Sequence, residues 1–363
     1  MVGRAARPVR SGPAQEVRVA RPRIKDVARR AGVSEKTVSN VINDYAHVSE
    51  RTRTAVREAI DELGYRVNLA GRHLRRGRTG IIALVVPELD IPYFADLAAL
   101  IITEAERNAM TVLVHQTRED RRRELAALEG FGSDFADGLI LSPLTLTGTD
   151  LRDRPGAPPT VLLGERVRPG QADHVAIDNE RAAREATVHL LELGRRRIRV
   201  VGGREGTEPG TAEVRSAGHR AALEAAGLPW DPAVLLRVEN FRALDGALAV
   251  RRLLEAGEKP DGLLCLNDQL ALGAMRELHD RGLRVPEDVA VVGFDDVEGG
   301  RFSVPSLTTV APDKHAVARV ALELLMVRIA ERDARSAGAP PRERVVAHRL
   351  LVRESTAGAG SRA

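Results

Sequence analysis

Residues 24–68 read IKDVARRAGVSEKTVSNVINDYAHVSERTRTAVREAIDELGYRVN, and this stretch predicts three short helices. The first helix stops at Gly32, Ser34 is placed to cap a second, and Ser49 can cap a third that ends at Gly64. Apolar residues recur at helical spacing on one face of each helix: Ile24, Val27, Ala28 and Ala31, then Val38, Val41 and Ile42, then Val56, Ala59, Ile60 and Leu63. Two small helices joined by a glycine turn and braced by a third indicate a helix-turn-helix.

The outer face of the second helix is polar and suits the reading of base edges. It carries Glu35, Lys36, Ser39 and Asn40. Lys36 can donate to guanine, Asn40 can pair with adenine, and Glu35 can either accept from cytosine or repel the wrong phosphates. Contacts to phosphates, which fix the register, suit five neighbouring side chains: Thr37, Ser49, Arg51, Thr52 and Arg53. An ordinary solvated helix face is the alternative interpretation.

Charge is divided unevenly along the chain. Residues 1–78 contain 18 Lys or Arg and 8 Asp or Glu, a balance of +10, against +4 for all 363 residues. A basic head on a mildly acidic body indicates that double-stranded DNA is met by the head alone. Residues 1–22 mix Arg, Pro, Gly and Ala and predict a disordered basic arm, which either adds nonspecific phosphate affinity or extends the start site.

Composition excludes several other classes of protein. With 43% hydrophobic and 29% charged residues, the chain is typical of a soluble globular protein. The single cysteine, Cys265, excludes a disulfide scaffold. The longest aliphatic run, residues 81–86, is far shorter than the roughly 20 residues of a membrane helix. We therefore expect a cytoplasmic protein with no membrane partner.

From residue 80 onward, short apolar runs alternate with helical stretches, as in buried parallel strands joined by crossover helices. The predicted strands read IIALVV, TVLVHQ, GLILS, TVLL, HVAI, RIRVVGG, GLLCL and VAVVGF, followed by a final helix over 313–332 and a final strand over 345–352. This length predicts two doubly wound subdomains. The predicted divisions are the arm (1–22), the helix-turn-helix head (23–66), a hinge and linker (67–79), a two-subdomain body (80–355) crossed near 178, 306 and 338, and a tail (356–363).

Polar and aromatic residues follow several predicted strands, where ligands bind in α/β folds. They are Tyr93 and Phe94 in the triplet PYF, Asn267 and Asp268 after GLLCL, and Asp295 and Asp296 after VAVVGF. The two aromatic residues can contact a ligand or pack the start of a helix, and for Asp268 we favour an N-cap. Planar polar groups beside an aromatic ring suit a sugar, whose vicinal hydroxyls and apolar face they can pair with.

The elements DVA, AGVS, TVS, VIN, VS–TR and LGY of the head resemble the LacI-type family of transcriptional regulators, and the resemblance spans about residues 23–355. It implies a hinge helix from Asn68 to Leu74, with Leu74 as a wedge in the minor groove. Gly71 stands where alanine is usual, which costs about 1 kcal/mol of helix propensity, and Asn40 replaces a frequent arginine. The predicted DNA-binding residues are Lys25, Ser34, Glu35, Lys36, Thr37, Ser39, Asn40, Asn43, His47, Ser49, Thr52, Asn68, Gly71 and Leu74.

For the body, the resemblance implies a fold of the periplasmic-binding-protein type I kind, with a ligand cleft between the subdomains. It implies ligand contacts for Arg215, in an RxxG segment, and for Phe241. Glu165 lies in a segment that matches the family poorly, where it either faces the ligand or forms a salt bridge. The predicted ligand-binding residues are Tyr93, Phe94, Glu165, Arg215, Phe241, Asn267 and Asp295.

Motifs of enzymes are missing from the sequence: it has no P-loop lysine, no GxSxG and no HExxH. We expect no catalytic residue, metal or cofactor. The sequence predicts a repressor that binds an inverted-repeat operator as a homodimer, with its affinity set by a small effector such as a sugar or sugar derivative. The alternatives are a solute-binding module and an α/β enzyme acting on a small polar metabolite.

Overall fold

The computed structural model describes residues 22–42, 45, 47–65, 78–132, 135–151, 157–164, 172–203, 210–334 and 339–358. The chain separates into two compact units that meet in sequence between Arg75 and Arg76. Five predicted site residues lie outside the described residues: Asn43, Asn68, Gly71, Leu74 and Glu165. The predicted arm also lies outside them, except for its last residue.

The head contains the three expected helices: α1 (Ile24–Ala31), α2 (Glu35–Ile42) and α3 (Glu50–Leu63). Left-handed glycines end α1 at Gly32 and α3 at Gly64, where a side chain would strain the backbone. The Ser49 hydroxyl accepts from the backbone N–H of Thr52 and so caps α3. The buried side chains form one small core: Val27, Ala28, Val38, Val41, Val56 and Ala59.

The body consists of two six-stranded sheets covered by helices. The strands are β1 (Ile81–Val86), β2 (Thr111–Gln116), β3 (Gly138–Leu141), β4 (Thr160–Leu163), β5 (Asp173–Ile177), β6 (Ile198–Gly203), β7 (Leu235–Arg237), β8 (Gly262–Cys265), β9 (Ala290–Phe294), β10 (Thr308–Pro312), β11 (Glu343–Val346) and β12 (His348–Leu351). The helices are α4 (Pro92–Arg107), α5 (Arg121–Leu128), α6 (Asn179–Glu192), α7 (Thr211–Ala225), α8 (Ala243–Glu255), α9 (Asp268–Asp280), α10 (Glu298–Arg301), α11 (Lys314–Asp333) and α12 (Glu354–Ala357).

The first sheet has the order β11-β5-β4-β3-β1-β2 and the second β12-β10-β9-β8-β6-β7. Only the pairing of β10 with β12 is antiparallel among the described strands. This arrangement confirms the predicted α/β class, because buried parallel strands with helical crossovers require helices on the sheet faces. None of the described helices is long and apolar enough to cross a membrane.

The chain passes between the two sheets at Asp178, Asp313 and Ala347. The first crossing lies where it was expected, but positions 306 and 338 were wrong. The second crossing comes later because β10, which was not predicted, continues the second sheet to Pro312. The third comes later because the expected final strand is two strands: β11 pairs with β5 in the first sheet, and β12 with β10 in the second.

The predicted tail begins inside the folded body. Ser355 and Thr356 are buried, and the Ser355 hydroxyl donates to the carbonyl oxygen of Val291 in β9. The backbone N–H of Thr308 donates in turn to this hydroxyl. The packed part of the body therefore continues to α12, past the expected boundary at residue 355.

Candidate functional site

A cavity of about 340 Å³ lies between the two sheets of the body, at the carboxyl ends of several parallel strands. Six of the seven predicted ligand-binding residues line it: Tyr93, Phe94, Arg215, Phe241, Asn267 and Asp295. The seventh, Glu165, lies outside the described residues, although its neighbour Gly164 is in the lining. The fold thus brings together side chains from positions up to about 200 residues apart in the sequence.

Arg215, on α7, is buried and its guanidinium is held on several sides. Its Nε donates to Asn179 Oδ1 at 2.8 Å, and its Nη1 donates to the carbonyl oxygen of Leu266. The guanidinium carbon stands 3.7 Å from the centre of the Phe294 ring, a cation–π contact. These contacts fix the side chain at the cavity wall before any ligand contact is made.

Gly218 explains how Arg215 comes close to Asn179. A Cβ at Gly218 would lie 2.0 Å from the carbonyl oxygen of Glu180 in α6, a separation that no side chain permits. Glycine at this position therefore lets α7 lie directly against α6. Since Arg215 precedes Gly218 by one helical turn, the glycine of the RxxG segment has a packing role of its own.

Asp295 directly follows β9 and takes an unusual backbone conformation. Its φ is 108°, in a region that favours glycine, and its N–H donates to the carbonyl oxygen of Val310 at 2.8 Å. Its carboxylate lies 4.0 Å from Arg215 Nη2, and both side chains are about nine-tenths buried. Burial raises the pKa of Asp295 to about 7, against the lowering effect of Arg215 and Lys314.

The helix after β8 is capped by Asn267, so the expectation that Asp268 would be the N-cap was wrong by one residue. Asn267 Oδ1 accepts from the N–H of Leu270, and its Nδ2 donates to the carbonyl oxygen of Phe241 at 2.9 Å. This second bond positions Phe241, whose ring packs against both large cores of the body. Asn267 therefore shapes the cavity wall through its own hydrogen bonds.

Asp268 is fully buried and does not belong to the cavity lining. It accepts from the N–H of Val297 at 2.8 Å and from Thr309 Oγ1 at 2.6 Å. Burial raises its pKa to about 8, and the nearby Asp295 adds to the rise. Asp296 does not line the cavity, and Arg301 and Arg353 bind its carboxylate.

The raised pKa of Asp268 predicts a pH-dependent stability. The Asp268 carboxyl group binds its proton more tightly in the folded protein than in the unfolded chain. The protonated carboxyl therefore adds fully to the free energy of unfolding below pH 3.8, the ordinary pKa, and this contribution is lost as the pH rises toward 8. In Asp268→Asn the fall in melting temperature between about pH 5 and pH 8 should be shallower. Asp288→Asn is the control: Arg284 holds the pKa of Asp288 at about 2, so its removal should not flatten the profile. Equal slopes for wild type and Asp268→Asn would refute the assignment.

Tyr93 and Phe94 stand at the start of α4, where the sequence left ligand contact and helix-start packing open. Their rings meet edge to face at 5.3 Å and pack against the largest core, and both line the cavity. Burial raises the pKa of the Tyr93 hydroxyl. The two rings give the cavity an apolar wall beside the polar groups of Arg215 and Asp295.

The edge of the cavity carries acidic residues that the sequence analysis missed. Glu88, Glu119 and Glu213 all belong to the lining. Arg242, just before α8, reaches from the second subdomain to Glu88 and Asp90 in the first, with its Nη1 donating to Asp90 Oδ2 at 2.7 Å. A loop position gives no sequence signal for such a contact, because it depends on how the two subdomains face each other.

The outer face of α2 is presented as predicted. Val38 and Val41 are buried, Glu35 and Lys36 are exposed, and Asn40 is half-buried. At the amino end of α2, the Ser34 hydroxyl accepts from the Thr37 N–H at 3.1 Å, as Ser49 does for α3. These caps fix the two helix starts, whose N–H groups suit phosphate contacts.

Three further side chains of the head are exposed. Lys25 and His47 are exposed, and the His47 ring meets Tyr45 edge to face at 5.5 Å. Tyr45 is 54% exposed and was not among the predicted DNA contacts. A large exposed aromatic ring beside the helix-turn-helix is a signal that could have added it to the set.

Comparison with known proteins gives the class. Residues 23–68 match the family described as bacterial regulatory proteins, lacI family, and residues 187–356 match a periplasmic binding protein-like domain. The chain is 34% identical to the HTH-type transcriptional repressor PurR of Haemophilus influenzae (strain PittEE), over 85% of this chain and 92% of that protein.

Solved structures of transcriptional regulators are similar to this chain in fold. The lac repressor dimer bound to operator and the anti-inducer ONPF has a TM-score of 0.78 at 27% identity, covering 92% of this chain and 99% of that one. A complex of the transcriptional regulator CelR with cellobiose has a TM-score of 0.67 at 33% identity, covering 92% of this chain and 100% of that one. The protein is a DNA-binding transcriptional repressor rather than an enzyme. It belongs to the LacI family.

Proposed function

We propose that a small ligand bound in the cavity, a sugar or sugar derivative, sets the affinity of this repressor for its operator. The observation that carries the proposal is the set of buried polar groups at the cavity wall, Arg215, Asn267 and Asp295, beside the rings of Tyr93 and Phe94. Such a set pairs with vicinal hydroxyls and covers an apolar sugar face. The solved complex of the related CelR with cellobiose supports a sugar as the ligand class.

In this proposal, the ligand changes the affinity for DNA by changing how the two subdomains are arranged. The chain crosses between them three times, and Lys314 beside the second crossing donates both to Asp96 in the first subdomain and to the carbonyl oxygen of Asp296 in the second. A ligand that binds one arrangement better than another shifts the balance between them. The proposed output is the pairing of hinge segments over residues 67–79, with a coupling of about 1–3 kcal/mol.

A homodimer on an inverted-repeat operator completes the proposal. Two pairs of large apolar side chains are exposed on the body: Leu113 and Val114 on the edge strand β2, and Phe302 and Val304, which are 79% and 96% exposed. Exposed edge strands and apolar loops of this kind suit contact with a second copy. The lac repressor, a structural relative, is a dimer on its operator, and twofold symmetry matches two half-sites.

The recognition helix yields a prediction about base reading. Lys36→Ala and Asn40→Ala should each weaken binding to the cognate operator by about 1–3 kcal/mol and affect random DNA much less, because contacts to base edges carry sequence information. Fluorescence anisotropy on both DNAs measures the difference. The control variant is Arg29→Ala, which removes one positive charge from an exposed position on the outer side of α1. Equal losses on the two DNAs would assign Lys36 and Asn40 to phosphate instead.

The effector proposal is tested with the full chain and an operator selected from random-sequence DNA. Anisotropy titrations are repeated with each member of a set of hexoses, pentoses, disaccharides and nucleosides. A sugar that shifts operator affinity about fivefold or more supports the proposal, since that is the lower end of ordinary coupling. A response to nucleosides alone would replace the ligand class, and operator affinity indifferent to the whole set would overturn the proposal.

A further inference from the structure

We infer that Asp137, a buried residue of the body, fixes the point at which the linker from the head enters the body, and that tight operator binding depends on it. The residue is 2% exposed, so it acts through its hydrogen bonds within the body rather than by contact with DNA. The inference rests on the proposed homodimer, because two heads that bind one operator together need fixed entry points. It does not depend on the effector.

The Asp137 carboxylate binds the two residues that precede β1. Its Oδ1 accepts from the backbone N–H of Thr79 at 2.6 Å and from the Thr79 hydroxyl at 3.1 Å, and its Oδ2 accepts from the N–H of Gly80 at 2.8 Å. Hydrogen bonds to a charged group are roughly twice as strong as those between neutral groups. Gly80 has a φ of 71°, a conformation that favours glycine, so the direction in which the chain enters β1 is fixed as well.

The end of α11 reinforces this contact. Arg332 Nη1 donates to the carbonyl oxygen of Asp137 at 3.0 Å, and Arg78 pairs with Asp333. Both β3, which Asp137 precedes, and α11, which packs against the first sheet, belong to the first subdomain. The entry point of the linker therefore follows the first subdomain.

The second subdomain contains the same arrangement without a linker. Asp261 precedes β8 as Asp137 precedes β3, in the matching sequences DGLL and DGLI. Asp261 Oδ1 accepts from the N–H groups of Arg196 and Arg197, the two residues before β6, at 3.0 and 2.8 Å. Helix α6 leads into β6, whereas the predicted linker leads into β1. A comparison of the two aspartates therefore separates support of a strand start from control of the linker.

A loosened entry point should lower the affinity for the whole operator. Ordering the backbone of one residue costs about a factor of ten in an equilibrium constant, and both copies must order their linkers when both half-sites are bound. Released residues also lengthen the tether, which lowers the effective concentration of the second head at its half-site. One head on a single half-site incurs neither cost, because its position relative to the body is then free.

Fluorescence anisotropy of the full chain, without effector, tests the inference. The DNAs are an operator that the wild type selects from random-sequence DNA and the same operator with one half-site scrambled. The amide in Asp137→Asn cannot accept from Thr79 and Gly80 at once, so affinity for the whole operator should fall about tenfold or more. Affinity for the half-site DNA should change by about twofold or less, since one head needs no fixed entry point.

Asp261→Asn is the matched control, because it breaks the equivalent hydrogen bonds in the second subdomain. It should lower the melting temperature, as Asp137→Asn does, and leave affinity for the whole operator unchanged. Equal operator affinities of the two variants, or an equal loss by Asp137→Asn on both DNAs, would overturn the inference.

Variants of Thr79 keep the inference testable if Asp137→Asn does not fold. Thr79→Val removes the hydroxyl donor and should lower affinity for the whole operator about threefold, whereas Thr79→Ser retains the hydroxyl and should bind as the wild type does. Equal affinities of these two variants would count against the inference.

The wild type distinguishes failure of the homodimer proposal from failure of this inference. Binding of the whole operator no tighter than that of the half-site DNA would overturn both. A clear preference of the wild type for the whole operator, with the same preference in Asp137→Asn, would leave the homodimer standing and overturn the inference alone.

Discussion

A fragment that begins at Thr79 should lose specific operator binding by a factor of about 10³ or more, since specific complexes exceed nonspecific ones by about 10³–10⁷. All predicted base contacts lie before this point, and the fragment balances at −6 because the first 78 residues carry +10 of the total +4. Its cores are complete without the head, whose buried residues form a cluster of their own. Anisotropy on operator DNA gives the loss.

The same fragment should remain folded and keep its ligand affinity, which circular dichroism and equilibrium dialysis check. A gel shift by this fragment on operator DNA, but not on random DNA, would show that the body reads sequence. That outcome would overturn the assignment of recognition to the helix-turn-helix.

Arg215→Ala should weaken the effector by about tenfold to a few hundredfold. The variant loses the charge-assisted hydrogen bonds from the guanidinium to the effector, which are worth about 1.5–3 kcal/mol each. It also leaves Asn179 Oδ1 and Asp295 without their cationic partner. Operator affinity without effector should stay nearly the same, because the residue lies in the body and the ligand acts only through unequal affinity for the two states. Anisotropy on labelled operator, with and without the effector sugar, measures both quantities.

Arg220→Ala is the matched control for this experiment. It removes an arginine from the same helix, where an exposed pair with Glu224 contributes little. It should respond to effector as the wild type does. A well-folded Arg215→Ala variant that still responds at wild-type concentrations would contradict the placement of the ligand against this wall.

Local chemistry made much of the fold predictable. Gly32, Ser49 and Gly64 stop and start helices through their own backbone and hydroxyl groups, so sequence alone locates the head. The strands β7 and β10 escaped notice for a physical reason. The first has only three residues, and the second reads TTVAP, with polar threonines that are buried through hydrogen bonds to distant partners such as Asp268 and Thr356.

The candidate cavity was predictable in part for a similar reason. Residues at strand ends, such as Asp295, are placed by the topology of any doubly wound sheet. Glu88, Glu119 and Glu213 reach the same cavity from loops and a helix start, and nothing in their local sequence marks them. A position after a strand does not by itself place a residue in the cavity. Asp268 has such a position, yet it is a buried acceptor for Val297 and Thr309.

The ion pairs of Arg242 with Glu88 and Asp90 make the contact between the subdomains sensitive to salt. They join the two subdomains at the cavity edge with side chains that are 42%, 25% and 61% exposed, so the attraction is weak and weakens further as salt rises. The affinity of the head for DNA phosphates also falls as salt rises, because binding releases counterions and this release is less favourable at high salt. Under the proposed coupling, dissolved salt therefore acts on two contacts at once: the one between the subdomains of the body and the one between the head and DNA.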